Sequence, residues 1–498
     1  MEKKILHIFF ASLAQIPKDD FVYVCSSCKK EYPIDSKRYL CDDCSKKNKK
    51  GLPLEGTLLV KLPEKFIKTC KNFILNNLDD FENFFLENEF INDDLTIDKS
   101  KDDKLINDKP INDKYFNDSK KVNSKPISIP VLPFFPVESK FFPSLPIGKT
   151  PAIFSKRLCQ HLGVKDLLLK WEGTNISGSY KDRASILVSS LAKKFNEDTL
   201  SVASTGNAAS SISAVCANME QNLFVFAPAK APIAKLVQIL QYGANLFLID
   251  GSYDEAFDLS MQFSQQLGFI SRNTGYNPLT IEGKKSAAFE LLFPRAIRKG
   301  LENDLSKNGY TPFVPPDYIF VPVGDGVILS GLIKGFNDLK DCGFIDRFPK
   351  IIGVQSSNSN YIESAFRTGI FRDDYRAKTL ADSISVNSPR CGYLAIDFLK
   401  KCGGDMISVS DDEILDAQIL LSSLTGIFAE PSSAATIAGI IRYKKEAING
   451  LDPFEKIVAL LTATGLKDIE SAKKKINLPE SLPPDFNRVM NYYEKLKK

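Results

Sequence analysis

From about residue 150 onward, short apolar runs alternate with amphipathic stretches along the chain. The apolar runs predict buried strands over 166–171, 199–204, 222–227, 245–249, 317–323, 350–355, 405–409 and 456–462. Apolar positions spaced three to four residues apart predict helices over 182–195, 207–219, 232–242, 253–267, 281–298, 328–340, 411–424 and 432–448. This alternation is typical of parallel sheets covered by helices on both faces. We therefore predict an α/β fold with two open, twisted, mostly parallel sheets and a ligand cleft between them.

The pattern before residue 150 is different and divides the chain further. Residues 20–62 contain short strands, turns and four cysteines, and they predict a small separate unit. Residues 71–125 are dominated by Asn, Asp and Lys and bury too little apolar surface to fold alone, so we expect a low-complexity insertion or linker. We expect the main α/β region over 126–480, with its smaller lobe at roughly 185–315.

Composition narrows the choice of partners and compartment. The 498 residues include 65 basic and 61 acidic side chains, a net charge of +4, so nothing global points to a nucleic-acid partner. No apolar run reaches the length of a membrane span. The ten cysteines are too few for a disulfide scaffold, and we expect a cytoplasmic protein with reduced thiols. With two histidines in the chain, acid–base chemistry is expected to use lysine, a carboxylate, a hydroxyl or a cofactor.

Four cysteines stand in two pairs with the spacing of a metal site. Cys25 and Cys28 form one C-x-x-C pair, and Cys41 and Cys44 form a second after twelve residues. Two such knuckles can deliver four thiolates to zinc in a tetrahedron. The alternative is a chance arrangement of core cysteines. We expect a structural zinc ribbon with no open coordination position.

A lysine follows a Gly/Ser/Asn-rich turn at the end of the strand 166–171. The turn leads through Gly178, Ser179 and Tyr180 to Lys181, which opens the amphipathic helix 182–195. A primary amine held between strand and helix can form a Schiff base with an aldehyde, and pyridoxal phosphate (PLP) is the main candidate. Lysines at helix starts are also common as solvated side chains, so this segment alone does not decide between the two interpretations.

Two further strands end in loops suited to anions. Strand 199–204 is followed by Ser204, Thr205, Gly206 and Asn207, small polar residues whose backbone N–H groups at a helix start can bind an anion. Ordinary N-capping would explain the same residues. Strand 317–323 runs into a second glycine loop and helix, where backbone N–H groups and the helix dipole suit a phosphate; its residues are Gly324, Asp325 and Gly326.

These motifs together resemble threonine synthases and the related threonine dehydratases. The run Glu172-Gly173-Thr174-Asn175-Ile176-Ser177-Gly178-Ser179-Tyr180-Lys181-Asp182-Arg183 is similar to their Schiff-base lysine motif, and Ser204-Thr205-Gly206-Asn207 to their Ser-Thr-Gly-Asn loop. Val321-Pro322-Val323-Gly324-Asp325-Gly326 resembles their PLP phosphate loop, and Leu461-Thr462-Ala463-Thr464-Gly465-Leu466-Lys467-Asp468 their Leu-Thr-Gly-His-Gly-Leu-Lys-Asp motif. The resemblance covers roughly 126–470. It implies a tryptophan synthase β-like fold of PLP enzymes, preceded by a zinc ribbon as in some threonine synthases.

The resemblance also implies a role for each matched residue. Lys181 would bind PLP and move protons, and Asn207 would hydrogen-bond the phenolic oxygen of PLP. The loop 324–326 would hold the cofactor phosphate, and Thr462 would face the pyridine nitrogen. The substrate carboxylate would lie on Ser204, Thr205 and Gly206, with Lys235 as a further substrate-binding cation.

Two departures from the family pattern affect these expectations. The phosphate loop lacks one Gly and two Asn of the family pattern and contains Asp325, which we expect to point away from the phosphate; Ser330 could replace part of the lost hydrogen bonding. Threonine synthases generally carry an arginine for the substrate phosphate where this chain has Thr280, and Lys235 or Arg390 could supply a cation instead.

The function implied is that of a threonine synthase, which converts O-phospho-L-homoserine and water to L-threonine and phosphate in amino-acid biosynthesis. The amino-acid substrate would be the small-molecule partner, and a homodimer is usual for relatives. The first alternative is another PLP lyase or β-replacement enzyme, such as a threonine or serine ammonia-lyase or a phosphoserine-using synthase. The second is a zinc-ribbon interaction protein whose PLP domain has decayed.

Overall fold

A computed structural model describes residues 9–77, 126, 128–231, 233–294, 311–372, 376–446 and 451–497, without the side chains of 233–235. Most of the predicted 71–125 segment lies outside the described residues. Its beginning continues a helix that ends at Asn76.

The described strands follow the predicted apolar runs closely, with short additional ones. In chain order they are β1 (Val22–Cys25), β2 (Glu31–Pro33), β3 (Leu58–Lys61), β4 (Ala152–Phe154), β5 (Asp166–Trp171), β6 (Thr199–Ala203), β7 (Asn222–Pro228), β8 (Asn245–Ile249), β9 (Ile270–Ser271), β10 (Phe293–Pro294), β11 (Phe313–Val314), β12 (Tyr318–Pro322), β13 (Lys350–Ser356), β14 (Asp405–Val409) and β15 (Lys456–Leu461).

The α-helices cover these strands and include several that the sequence pattern did not indicate. They are α1 (Glu64–Asn76), α2 (Lys156–Leu162), α3 (Asp182–Lys194), α4 (Asn207–Asn218), α5 (Ile233–Gln241), α6 (Tyr253–Leu267), α7 (Leu279–Glu282), α8 (Val327–Asp341), α9 (Tyr361–Thr368), α10 (Gly392–Lys401), α11 (Asp411–Thr425), α12 (Pro431–Glu446), α13 (Ile469–Lys473) and α14 (Phe486–Leu496).

Two larger sheets form the main region, as the alternation predicts. The six-stranded sheet has the order β14-β13-β12-β15-β5-β4, with all neighbours parallel except the edge pair β4–β5. The four-stranded sheet has the order β8-β7-β6-β9 and is parallel throughout. The carboxyl ends of β5, β6, β12 and β15 carry the glycine and hydroxyl motifs, so strand direction brings those motifs toward the cleft.

The cysteine-containing segment forms a small three-stranded antiparallel sheet with the order β2-β1-β3. It packs on the larger sheets through a shared apolar core in which Phe21, Phe66 and Phe134 are fully buried. The rings of Phe66 and Phe134 meet edge to face, with centroids 4.9 Å apart. Edge-to-face packing of this kind stabilises the contact beyond its buried area.

The helix predicted over 281–298 is wrong in type and length. The chain forms the short helix α7, continues as a 3₁₀-helix over Gly283–Glu290, and enters strand β10 at Phe293. All residues of the 3₁₀-helix are buried, and its glycine lies against α3, where a Cβ at Gly283 would come within 2.2 Å of the Arg183 carbonyl oxygen. Tight backbone packing and buried ion pairs therefore shape this segment, and amphipathic spacing does not.

Candidate functional site

Lys181 is held at the mouth of α3 by the contacts of the two residues before it. The N–H of Tyr180 donates to the Thr462 carbonyl over 2.8 Å, and the Tyr180 hydroxyl donates to the Lys284 carbonyl over 2.7 Å. Ser179 forms an isolated antiparallel bridge with Ala463. The turn before the lysine needs a left-handed residue, which Gly178 provides with φ of 78°. The backbone of Lys181 is thus fixed against the end of β15.

The amine of Lys181 lies in an environment that favours its neutral form. Burial lowers the pKa of Lys181, and the guanidinium of Arg272 lowers it further, while Asp325 and Glu430 act in the opposite direction. Among the described residues, no hydrogen-bond or ion-pair partner contacts this amine. A neutral, unpartnered primary amine in a cleft is the form that attacks a carbonyl.

A buried ionic network lies directly behind the lysine. The guanidinium of Arg183 donates to Glu172 and Glu290 over 2.6–2.8 Å, and Lys170 donates to Glu290 over 2.7 Å. Burial raises the pKa of the Glu290 carboxyl, but Arg183 and Lys170 outweigh it and lower that pKa to about 2. These charges compensate one another, so the matched acidic and arginine positions of the lysine motif serve as a rigid support.

The loop after β6 places Asn207 opposite Lys181 in the same cavity. Its side-chain amide donates to the Glu430 carboxylate over 3.0 Å and to the Ser383 hydroxyl over 3.2 Å. The Ser204 hydroxyl is turned into the loop, where it accepts from the Gly206 N–H over 3.2 Å. A Cβ added at Gly206 would meet nothing within 4 Å, so the loop borders open space.

The loop after β12 forms an N–H-rich turn at the start of α8. Gly326 has φ of 82° and precedes the first helical residue, Val327. The N–H groups of Gly324, Asp325 and Gly326 donate to no protein oxygen that the structure describes. With the helix dipole behind them, these donors can bind an anion.

The side chains of Asp325 and Ser330 lie beside this turn. Asp325 Oδ1 accepts from the Arg390 N–H over 3.3 Å, so this oxygen engages the neighbouring segment. The Ser330 hydroxyl, one turn into α8, is buried and has no hydrogen-bond partner among the described residues. An unpaired buried hydroxyl near a turn of free N–H groups fits a site completed by a ligand.

Thr462 directly follows β15 and lines the same cavity. Ser433, at the start of α12, accepts from the N–H groups of Thr462 and Ala463 over 2.9 and 3.0 Å. Its oxygen also lies 3.1 Å from the Thr462 hydroxyl. The Thr462 hydroxyl is therefore fixed in direction at the cavity wall.

The tertiary structure brings most of the predicted site residues together. One cleft with about 550 Å³ of space, part of it open to solvent, is lined by the predicted residues Lys181, Asn207, Gly324, Asp325, Gly326 and Thr462. Thr205 and Gly206 line an adjoining space that shares Asn207 with the first. The side chain of Lys235, on α5, lies outside the described residues.

Sequence reasoning missed three groups in the cleft wall. The Glu430 carboxylate accepts from the Asn207 amide over 3.0 Å and from the Ser383 hydroxyl over 3.1 Å, so Glu430 and Ser383 join Asn207 in a polar wall. Thr274 lines the cleft from the segment after β9, and its sequence carried no distinguishing signal.

Thr280, which stands where threonine synthases generally have a phosphate-binding arginine, forms its hydrogen bonds within its own loop. Thr280 is buried; its hydroxyl donates to the Asn277 carbonyl over 2.7 Å and accepts from the Gly275 N–H over 3.2 Å. Arg390, an alternative cation, lies over the Phe257 ring at 3.9 Å and 3.7 Å from Asp254. Both residues thus contribute to loop structure.

The residues around the cleft fit PLP. Lys181 offers a free amine, Asn207 an amide, Thr462 a hydroxyl, and the turn 324–326 a group of free N–H donors, all in one cavity. A pyridine aldehyde phosphate requires one group of each kind.

The four cysteines of the small sheet also come together. The Sγ atoms of Cys25, Cys28, Cys41 and Cys44 all lie within 4.8 Å of one another. A tetrahedral zinc with Zn–S bonds of about 2.3 Å requires sulfurs about 3.8 Å apart. Gly56, with φ of 74°, brings the backbone close; a Cβ there would meet Cys44 Cβ at 3.0 Å. The cluster therefore has the ligand type and spacing for zinc.

Comparison with known proteins gives the same fold and family. Residues 143–463 match the family model described as pyridoxal-phosphate dependent enzyme. The threonine synthase of Methanocaldococcus jannaschii is 34% identical over 72% of this chain and 84% of its own length. That of Methanosarcina acetivorans is 32% identical over 64% of this chain and 75% of its own.

Solved structures share the architecture. Threonine deaminase isoform 2 from Solanum lycopersicum superposes with a TM-score of 0.52 at 21% identity, covering 65% of this chain and 86% of its own. Maize serine racemase superposes with a TM-score of 0.53 at 18% identity, covering 70% of this chain and 93% of its own. At these identities the likeness shows the fold alone.

The family model spans more than half of the chain, and threonine synthases at 32–34% identity match over three quarters or more of their own length. This chain therefore belongs to the pyridoxal-phosphate dependent enzymes and, within them, to the threonine synthase family.

Proposed function

We propose that the protein is a PLP-dependent lyase that converts O-phospho-L-homoserine and water to L-threonine and phosphate. The observation that carries this proposal is the single cavity in which the unpartnered Lys181 amine, the Asn207 amide, the Thr462 hydroxyl and the 324–326 donors converge. The names of the threonine synthase relatives support the choice of reaction.

The residues of the cleft would have separate roles in proton transfer and in binding around the cofactor. Bound PLP supplies an electron sink for the charge that develops on the substrate carbons. Lys181 would hold the cofactor and, once released, would take the proton from Cα of the substrate, give it up to the electron-rich cofactor and, neutral again, take one from Cβ. Its lowered pKa supports this role, because a base must be neutral to accept a proton.

The remaining predicted residues bind and orient. The N–H groups of 324–326 would hold the cofactor phosphate. Asn207 would donate to the phenolic oxygen, exchanging one of its present hydrogen bonds to Glu430 and Ser383 for that contact. The Thr462 hydroxyl would face the pyridine nitrogen, and as a neutral partner it would leave that nitrogen unprotonated. Ser204, Thr205 and Gly206 would hold the substrate carboxylate, which would replace the hydrogen bond between the Gly206 N–H and the Ser204 hydroxyl, and Lys235 would supply a further cation for the substrate.

The deciding experiment is a product assay on purified, PLP-loaded protein. We expect phosphate release from O-phospho-L-homoserine together with an equal amount of threonine. Phosphate release no faster than in a blank, beside rapid ketoacid formation from threonine or serine, would reject the synthase and favour an ammonia-lyase. Thr280, which offers no cation, is the observation that motivates this second candidate.

The same preparation tests the non-enzymatic alternative. A decayed domain would not develop the visible absorption of lysine-bound PLP when saturated with the cofactor. The unpartnered amine of Lys181 in an intact cleft supports the enzyme.

We also infer that the cysteine cluster is a structural zinc site in a ribbon over 20–62, since four thiolates would fill the tetrahedral coordination of zinc and leave no open position. The protein is inferred to act in the cytoplasm on a small amino-acid substrate, because all ten cysteines are free. Within the described residues, no helix combines the length and apolarity needed to cross a membrane.

A homodimer is part of the same proposal. Helix α14 contains no buried residue and exposes Phe486, Met490 and Tyr493, an apolar face that a second copy could cover. Light scattering on the purified protein would show twice the mass of one chain, and a monomer at micromolar concentration would reject the dimer.

A further inference from the structure

Two cations near Lys181 are buried without a carboxylate. Among the described residues, the largest side chains with less than 2% exposure include five cations: Arg183, Arg272, Lys170, Lys284 and Lys285. Arg183 and Lys170 pair with Glu290, and Lys285 pairs with Asp338 over 2.7 Å. In the part of the chain that the structure describes, neither Arg272 nor Lys284 has a carboxylate within ion-pair distance.

Burying a charge without a counter-ion costs free energy, and the two cations differ in how they can avoid that cost. Lys284 donates to the Thr280 carbonyl over 2.9 Å, and burial, with the nearby Lys181 and Arg272, holds the pKa of Lys284 well below its usual value. A lysine can lose its proton in such a place. Burial lowers the pKa of Arg272 only to about 10, so the guanidinium stays charged at neutral pH.

Arg272 has neutral partners and one free donor. Its Nε donates to the Ser185 hydroxyl over 3.2 Å, and its Nη1 donates to the Thr274 hydroxyl over 2.5 Å. Its Nη2 is buried and has no hydrogen-bond partner among the described residues. Asp182, the main acid acting on it electrostatically, is itself engaged by the N–H of Ser177 over 2.7 Å. A buried charge left in this state is costly unless an anion completes the site.

Thr274 connects this charge to the cleft. It is half-buried and lines the same cavity as Lys181 and the 324–326 turn. Because its oxygen accepts from Arg272 Nη1, its own hydroxyl hydrogen is available to donate into the cavity. The guanidinium thus stands directly behind a hydroxyl donor at the cleft wall.

We propose that Thr274 and Arg272 form a phosphate subsite in the cleft, with the Thr274 hydroxyl contacting the phosphate and the guanidinium behind it supplying the charge. Arg272 is a positioning residue, since it acts through Thr274. A phosphate monoester in this cleft has two sources, the cofactor and the substrate. The assignment to the substrate rests on the proposed function; the existence of the subsite does not.

The first test uses PLP-loaded protein and inorganic phosphate as the probe, with affinity measured by calorimetry. We expect saturable binding that is at least tenfold weaker in Arg272→Met and in Thr274→Val. Arg272→Lys should recover affinity only at a pH low enough to protonate a buried lysine, so its phosphate affinity should fall as the pH rises while that of Arg272→Met does not; a purely structural role would not produce this pH dependence. Lys284→Met, equally buried, is the matched control and should remain within twofold of the wild type.

The second test identifies the source of the phosphate. Protein stripped of cofactor is titrated with PLP and with pyridoxal, which lacks the phosphate. If the cofactor supplies the anion, Arg272→Met lowers the affinity for PLP about tenfold more than that for pyridoxal, and the loaded protein binds no free phosphate. If the substrate supplies it, the PLP to pyridoxal ratio stays unchanged and only free phosphate binding falls.

Unchanged phosphate affinity and an unchanged PLP to pyridoxal ratio in the variants would overturn the subsite. If Arg272→Met does not fold, Thr274→Val decides alone, because it keeps the guanidinium and removes the hydroxyl. The protein could bind phosphate through Arg272 and still release no phosphate from O-phospho-L-homoserine. That result would reject the proposed function and support the subsite.

Discussion

At the scale of single residues, the site depends on a contrast between compensated and uncompensated charge. Arg183 and Glu290 satisfy each other in the support behind the lysine. Lys181 has no such partner in the part of the chain that the structure describes, and its pKa is lowered by burial and by Arg272. A neutral amine is reactive, whereas a paired guanidinium is inert, so neighbouring positions of one motif have opposite roles.

Lys181→Ala is expected to abolish turnover and the visible absorption of bound cofactor while the protein stays folded. The amine has no hydrogen-bond or ion-pair partner among the described residues, so its removal breaks no structural contact. Product assays, absorption spectra and circular dichroism check the three parts. Turnover above about one hundredth of the wild type would refute the role given to this amine.

Glu290→Gln is expected to destabilise the protein by about 3–5 kcal/mol at neutral pH, because it leaves Arg183 and Lys170 underpaired in the interior. The pKa of Glu290 is lowered from 4.5 to about 2, so its contribution is present above pH 4.5 and is lost as the pH falls toward 2. Urea unfolding between pH 7 and pH 2 should show this loss in the wild type and a flatter dependence in the variant.

The exposed Glu480 supplies the control for this measurement. Glu480→Gln should change the free energy of unfolding by less than about 0.5 kcal/mol. A Glu290 variant as stable as that control would show that the network contributes nothing.

At the scale of elements, parallel strands decide where the motifs meet. The loops after β5, β6, β12 and β15 all follow carboxyl ends, and the two sheets direct these ends into one cleft. Glycines shape the loops. Gly326 has φ of 82°, and a Cβ there would come within 2.9 Å of Ala395 Cβ. The turn before α8 therefore tolerates no side chain.

Gly326→Ala is expected to destabilise the protein by about 1–2 kcal/mol through backbone strain and by a further ~1–3 kcal/mol through overpacking, and to weaken PLP binding. Gly369→Ala is the matched control, since Gly369 has φ of 79° and open space around it. The control should show the strain alone, with unchanged PLP affinity. Equal losses of PLP affinity in both variants would contradict the phosphate-loop assignment.

Most strands and helices were predictable from the sequence, and the elements that were predicted wrongly have identifiable physical causes. The strands 166–171 and 245–249 were predicted to the residue because buried parallel strands are short, continuous apolar runs. The prediction of a helix over 281–298 was wrong because Gly283–Glu290 is buried on all sides and its Lys285 bonds to distant parts of the chain. Such tertiary contacts leave no trace in the spacing of apolar residues. The low-complexity character of the 71–125 segment and the substrate-binding role of Lys235 stay predictions.

At the scale of the whole molecule, the cysteine-containing unit contacts the neighbourhood of the cleft. The Leu54 N–H donates to the Arg390 carbonyl over 2.9 Å, and the Tyr39 hydroxyl accepts from the Ser271 N–H over 2.8 Å. The backbone N–H of the same Arg390 donates to the Asp325 carboxylate in the loop 324–326. The unit therefore supports the segments that carry the phosphate loop and Arg272, without entering the cavity.

Cys25→Ser is expected to lose bound zinc and to lower the melting temperature by several degrees, with kcat unchanged. Metal analysis, calorimetry and the product assay measure the three effects. Cys402→Ser, outside the cluster, should keep the metal. Zinc-free wild-type protein that melts no lower than the loaded protein would remove the structural role of the metal.

The sequence by itself determined the α/β class, the two C-x-x-C pairs, and the lysine, asparagine, glycine and threonine motifs, because these depend on local periodicity and on short fixed spacings. Only the tertiary structure decided that Glu430 and Ser383 join Asn207, and that Thr274 lines the cleft with Arg272 uncompensated behind it. These relations join residues far apart in the chain, and burial and charge compensation exist only once the sheets have closed on each other.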